Sequence, residues 1–202
     1  GQGAPLTPIF HQIIKSHIED NWWPVIFLNI GGISNVTSTS KQPTILSNNN
    51  LDSTHKVFAG DIASGNCLID EWIRKNSKHK YDKDGLIARS GNVNQLILNQ
   101  ALDNYSRDTY ESFLPRSLDI KDFDISFVRG LSLEDGAATL THLTAGLISE
   151  GLTQFISKNY PNEENILNRA TILICGGGRK NKYLIEILKK NLHANSIKLI
   201  DE

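Results

Sequence analysis

The sequence predicts an α/β domain in which an antiparallel edge of three strands continues into a parallel sheet covered by helices. Three observations lead there. An apolar run ending Phe27-Leu28-Asn29-Ile30 breaks at Gly31-Gly32 and resumes as polar-apolar alternation from Ser34. A second glycine cluster, Gly176-Gly177-Gly178, follows another apolar strand-like run, Thr171 to Cys175. Between the two lies the longest helical periodicity in the chain, opened by Ser132.

In chain order, Thr7 and Pro8 supply a cap and first position for a helix to about Glu19, with Leu6, Ile9, Phe10, Ile13, Ile14 and Ile18 on one face. Val25 to Ile30 and Ser34 to Ser40 form a hairpin, an asparagine-rich loop follows, and Val57 to Ala59 is a short strand. Gly60 to Asn66 reads as a loop feeding a helix with Leu68, Ile69, Trp72 and Ile73 on one side. From Ser77 to Gly130 the pattern is irregular, with short helices expected around Val93 to Leu102 and Lys121 to Val128. Ser132 with Asp135 caps a helix running to about Lys158, buried through Leu140, Leu143, Leu147, Ile148, Leu152, Phe155 and Ile156. Pro161 to Asn168 connects to the Thr171–Cys175 strand, a helix through Tyr183, Leu184, Ile187 and Leu188, and a last strand at Ile197 to Ile200. The order β-β-β-α-β-α-β, with an α-rich insertion at about 77–131, is that of a ribonuclease-H-like domain spanning 25–202, after a linking segment and helix at 1–24.

At 202 residues and 39% apolar composition the chain is long enough for one cored domain, or one domain plus an insertion. A net charge of −1 gives no reason to expect nucleic acid or an anionic membrane. No segment approaches the roughly 20 apolar residues of a membrane helix, and no secretory leader pattern is read at the start. Cys67 and Cys175 sit in apolar surroundings without metal-ligand spacing, which points to a reducing cytoplasm. The chain opens at Gly1, contains no Met, and stops at Asp201-Glu202 directly after a strand-like run, so both ends read as cuts in a longer product.

Paired glycines at Gly31-Gly32 let backbone amides approach an anion such as phosphate, although a plain hairpin turn also uses them. Gly176 to Gly178, followed by Arg179 and Asn181, offer bare backbone beneath an adenine or ribose, and equally suit a strand-to-helix turn. The pairing of the two clusters favours a nucleotide bed. Asp61 holds a Mg²⁺ water or orients a phosphate in one reading, and forms an Asx-turn or helix cap in the other. Asp82 and Asp84 with Gly85 imitate a calcium loop, but Lys80 and Gly91 occupy its terminal ligand positions. His142 reads as a structural or surface residue, and Glu134 and Asp135 as favouring a helix amino end.

Several segments resemble motifs of the anhydro-N-acetylmuramic acid kinases, members of the sugar-kinase and actin superfamily. Gly1 to Leu6, with Pro8, Phe10 and His11, resembles GQGAPL; Asn29 to Asn35 resembles NIGGxxN; Gly60 to Asn66 is similar to FDTGPGN. Tyr81 to Gly85 resembles YDxDG, Arg116 to Asp119 with Asp122 and Phe123 resembles KSLDxxDF, Glu134 to Ala145 an EDxxATL segment, and Cys175 to Asn181 the adenosine-side CGGGxxN. The resemblance implies an ATP- and Mg²⁺-dependent enzyme that opens the anhydro ring of 1,6-anhydro-N-acetylmuramic acid with water and phosphorylates O6, in cell-wall recycling. It implies two ribonuclease-H-like domains around a cleft, commonly in a dimer. Asn29, Gly31 and Gly32 then lie by the phosphates, Asp61 and Asn66 by the phosphate and metal region, and Gly176, Gly177, Gly178 and Asn181 by the adenosine. The loop departs from the family at Ile62, Ala63 and Ser64. The family's catalytic aspartate precedes the segment matching Gly1, so no catalytic residue is expected in this chain. It is expected to be inactive alone, with a non-catalytic remnant or the partner module of a split kinase as the alternative.

Overall fold

A computed structural model describes residues 25–40, 56–111, 118–161, 166–192 and 196–199. The helix expected from Thr7, the GQGAPL-like segment, Arg116, Ser117 and the terminal Asp201-Glu202 lie outside the described residues.

Among the described residues five strands form one sheet: β1 (Val25–Ile30), β2 (Ile33–Ser40), β3 (Lys56–Ser64), β4 (Thr171–Cys175) and β5 (Ser196–Leu199), in the order β3-β2-β1-β4-β5. β2 runs antiparallel to both β1 and β3, whereas β4 runs parallel to β1 and β5 parallel to β4. This is the expected ribonuclease-H-like layout. β1 is central, and its Val25, Ile26, Phe27 and Leu28 are at most 1% exposed, which explains a continuous apolar run in place of alternation. Ile26, Leu28 and Ile30 join Val36, Ile172 and Ile174 in the core that the helices cover.

The helices are α1 (Cys67–Asn76), α2 (Leu86–Ser90), α3 (Gln95–Glu111), α4 (Leu133–Asn159), the single turn α5 (Ile166–Arg169) and α6 (Lys182–Leu192). α4 starts where Ser132 Oγ accepts from the Asp135 amide at 3.0 Å, the expected cap. Its small residues let neighbours approach closely. A Cβ on Gly136 would lie 2.4 Å from the Trp72 indole, one on Gly146 2.8 Å from Leu102, and one on Gly151 2.4 Å from the Ile62 carbonyl oxygen.

Three expectations need correction. The stretch from Gly60 is not a loop, because β3 continues to Ser64 and pairs with β2 as far as Ile33. The register slips between Asn35↔Asp61 and Ser34↔Ala63, leaving Ile62 as the extra residue of a bulge. The helix expected at Val93 starts at Gln95 and runs on to Glu111. In place of a helix over Lys121 to Val128 there are two 3₁₀ turns, Ile120–Asp122 and Ser126–Val128. The Asp124 carboxylate accepts the Ser126 amide at 3.0 Å, a local bond that competes with helix propagation.

The Asp82–Gly85 segment is a helix entrance. Asp82, 4% exposed, accepts from the Ile87 and Ala88 amides at 2.9 Å each, so its carboxylate caps α2 across Gly85. Gly85 sits at φ +73°, and Asp84 pairs with Lys182 at 3.3 Å. Asp82→Ala orphans two helix-start amides and is expected to cost about 2 kcal/mol, read as a lower urea midpoint at unchanged m-value.

Candidate functional site at the carboxyl ends of β1 and β4

Because β1 and β4 are parallel neighbours with Asn29 opposite Cys175, both glycine clusters leave the sheet at the same end. That end of an open α/β sheet is where ligands are held. The Gly31-Gly32 turn does not stand alone there. Gly31 O accepts from the Asn66 amide at 2.7 Å, and Gly32 O accepts from Gly65 at 2.9 Å and Cys67 at 3.2 Å. The turn's carbonyls thus satisfy amides at the start of α1 that no side chain caps.

The triple glycine closes the other side. Gly176 sits at φ +79°, where a Cβ would also strike Asn29 Oδ1 at 2.4 Å, and a Cβ on Gly178 would strike Ile30 Cγ2 at 2.3 Å. Arg179, 9% exposed, folds back to donate to Gly176 O at 2.8 Å. Gly65, Gly176 and Gly178 are therefore consumed by contacts between the loops themselves. Gly177 differs: it is exposed, and a Cβ there would meet nothing nearer than Asn66 Nδ2 at 4.0 Å. Gly32 is exposed as well. Gly31, Gly32, Asn66 and Gly177 form one connected rim, exposed at Gly32 and Gly177, with the Ile120 side chain 3.3 Å from where a Cβ on Gly32 would stand.

Asn29 sits inside this rim, its Oδ1 receiving the Cys175 thiol at 3.8 Å. Burial pushes the Cys175 thiol above its ordinary pKa and the Cys67 thiol up to about 11, so both are neutral near pH 7. Asn181, 7% exposed, is committed to structure: its Oδ1 accepts from the Leu184 amide at 3.0 Å and starts α6. Asp61 is neither an Asx-turn nor a cap. It lies in β3 opposite Asn35, and its Oδ2 accepts from the Leu118 amide at 3.0 Å. Sequence gives no signal for that contact, which joins positions 57 residues apart. Gly65 was legible only as part of the Gly60–Asn66 segment, without its role as the point where two loops touch.

Among the described residues no group of three or more His, Cys, Asp or Glu gathers as a metal site. A divalent cation here would rely on Asp61 with water and phosphate oxygens, the shell Mg²⁺ favours over an all-protein cage. Ile62 packs on Gly151, and Ser64 is buried with a hydroxyl that finds no partner among the described residues. His142 meets the Tyr183 hydroxyl at 3.2 Å, and burial followed by Lys190 lowers its pKa, as befits a packing residue. No helix of the described residues is long and apolar enough to cross a membrane.

The sheet and its helices share the fold of two solved sugar kinases. Gluconate kinase from Lactobacillus acidophilus matches at a TM-score of 0.53 and 17% identity, over 88% of this chain and 35% of that one. Xylulose kinase from the same organism matches at 0.53 and 16%, over 88% and 35%. The chain belongs to the anhydro-N-acetylmuramic acid kinase family, whose model matches residues 1–202. An anhydro-N-acetylmuramic acid kinase of Pelagibacter ubique is 44% identical over 205 residues, covering 100% of this chain and 49% of that protein. Its counterpart in Rhizorhabdus wittichii is 34% identical, covering 93% and 44%. The chain thus spans about half the length of the curated relatives it matches.

Proposed function

We propose that this chain forms the ATP-side wall of an anhydro-N-acetylmuramic acid kinase. The whole enzyme would open the 1,6-anhydro ring of anhydro-N-acetylmuramic acid with water and phosphorylate O6, yielding N-acetylmuramic acid 6-phosphate for cell-wall recycling in the cytoplasm. The observation that carries this reading is the convergence of Gly31, Asn66 and Gly177 on one rim at the shared end of β1 and β4. Bare backbone at Gly177 faces the adenosine, while Asn29, Gly31, Gly32 and Asn66 lie by the phosphates. Asp61 would hold the hydrated Mg²⁺, which would supply charge neutralisation at the transferred phosphoryl group. Asn181 supports the adenosine side indirectly, by fixing the loop that presents Gly177.

Phosphoryl transfer depends on donors and a water-positioning base on both sides of a closed cleft. The rim supplies one side. The part of the family's fold that this chain does not match is proposed to supply the other, so the 202 residues alone are expected to phosphorylate no sugar. The bulge residue Ile62 and the buried Ser64 hydroxyl, in place of the family's loop residues, favour a second reading, a non-catalytic module in which this end of β3 is purely structural.

Two measurements separate the readings. Millimolar Mg-ATP is expected to shift the amide resonances of Gly32 and Gly177 in the purified chain; unmoved glycine amides leave only the structural module. Phosphorylated sugar is expected by mass spectrometry only after co-expression with the complementary half of a relative. Product formed by the chain alone would overturn the two-walled arrangement.

A further inference from the structure

The segment Leu118–Asp122 resembles a family motif to which the site described so far gives no task. It lies as a strap over the Gly31-Gly32 turn. Its Leu118 amide donates to Asp61 Oδ2 at 3.0 Å, and the Ile120 side chain, 52% exposed overall, reaches to 3.3 Å from where a Cβ on Gly32 would stand. The strap holds its own shape. Asp119 Oδ1 accepts from the Lys121 amide at 3.0 Å, while Asp122 Oδ2 accepts from the Asp119 amide at 2.8 Å, a reciprocal capping box around a single turn. Its far end is tied to α3: the Tyr105 hydroxyl lies 3.3 Å from both the amide and the carbonyl of Asp124, and the Tyr105 and Phe123 rings pack with centroids 5.5 Å apart.

We propose that this strap positions the Asp61 carboxylate for the hydrated divalent cation of a nucleotide, with Asp119 as the positioning residue that sets the strap. The proposal rests on the Mg-ATP reading of the site. A carboxylate on an edge strand can turn about two side-chain bonds, and an amide donor fixed from elsewhere adds to what holds its orientation before the ligand arrives. The strap brings such a donor, and the bulge at Ile62 re-aims the strand beside it. The result is a carboxylate oriented from outside its own strand by a turn that reads as an isolated motif in the sequence.

The test uses the 202-residue chain as wild type, Asp119→Ala and Asp119→Asn, titrated with ATP in Mg²⁺ and with ATP in chelator, and followed by amide NMR. Asp119→Ala is expected to weaken Mg-ATP about tenfold, the scale typical for loss of an outer-shell partner, while metal-free ATP changes less than about twofold. Asp119→Asn, whose amide oxygen still accepts from Lys121, is expected to recover most of the loss. The Leu118 amide is expected to exchange faster in Asp119→Ala at an unchanged thermal midpoint. A merely structural role would weaken both forms of ATP together and lower the midpoint, and that pattern overturns the proposal. So does an Asp119→Ala chain with wild-type Mg-ATP affinity and Leu118 exchange. Wild type that binds no nucleotide at all overturns the reading of the site, and the strap's assignment with it.

Discussion

Gly65→Ala is expected to destabilise the chain by about 3 kcal/mol, through overpacking of backbone against backbone. The added Cβ would lie 2.2 Å from Gly31 O and 3.1 Å from Gly32 O. Neither oxygen can retreat without breaking the bonds from Asn66 at 2.7 Å and Gly65 at 2.9 Å that join the turn to α1. For a chain of this size the loss corresponds to a drop of about 6–12 °C in thermal midpoint. Gly177→Ala provides the contrast. With only Asn66 Nδ2 near the new methyl, it is expected to stay within about 0.5 kcal/mol of wild type while shifting less in response to Mg-ATP. A Gly65→Ala chain that melts with the wild type would show that the loops are not in contact as described.

Trp72→Ala is expected to cost about 4 kcal/mol. The indole is 4% exposed, lies against Gly136 where α1 crosses α4, and donates from Nε1 to Leu133 O at 2.9 Å. Removing it leaves a large cavity whose far wall is helix backbone, which relaxes poorly into the space. Trp72→Phe keeps much of the volume but loses the N–H bond, and is expected to cost roughly 1–2 kcal/mol. Urea unfolding of the two variants separates the terms; equal losses would assign the whole effect to the hydrogen bond. Because α1 begins at the rim, Trp72→Ala is also expected to loosen Asn66 and broaden its amide resonance.

The sheet was legible because its strongest signals are local. The continuous apolar run of β1, the same feature in β4, and the Ser132–Asp135 cap each act within a few residues, and each element formed where it was expected. Glycines at two strand ends then placed the candidate rim. β3 was half hidden, since Gly60, Asp61 and Ser64 are weak strand formers that extend only because β2 offers a ladder to pair with. Asn181 is expected at the adenosine side from its motif, and its oxygen also starts α6, a cap set by where that helix begins and not legible in the motif. The contact between Asp61 and Leu118 had no local trace, because it depends on how a long intervening segment folds back. The family's motifs marked which segments matter without showing that the Tyr81–Gly85 and Cys175–Asn181 segments touch, as they do where a Cβ on Gly85 would lie 2.3 Å from Asn181 Oδ1.

Gly151 gives the long helix a mechanical part. With no side chain there, the helix backbone rests directly on the Ile62 carbonyl, one residue beyond Asp61. A flexible side chain in that gap would act as a cushion, absorbing small displacements by changing rotamer; bare backbone contact has no such give. A side chain added at Gly151 would therefore have to push α4 off β3, the strand that carries the carboxylate, so this position ties the seating of the long helix to the local path of β3.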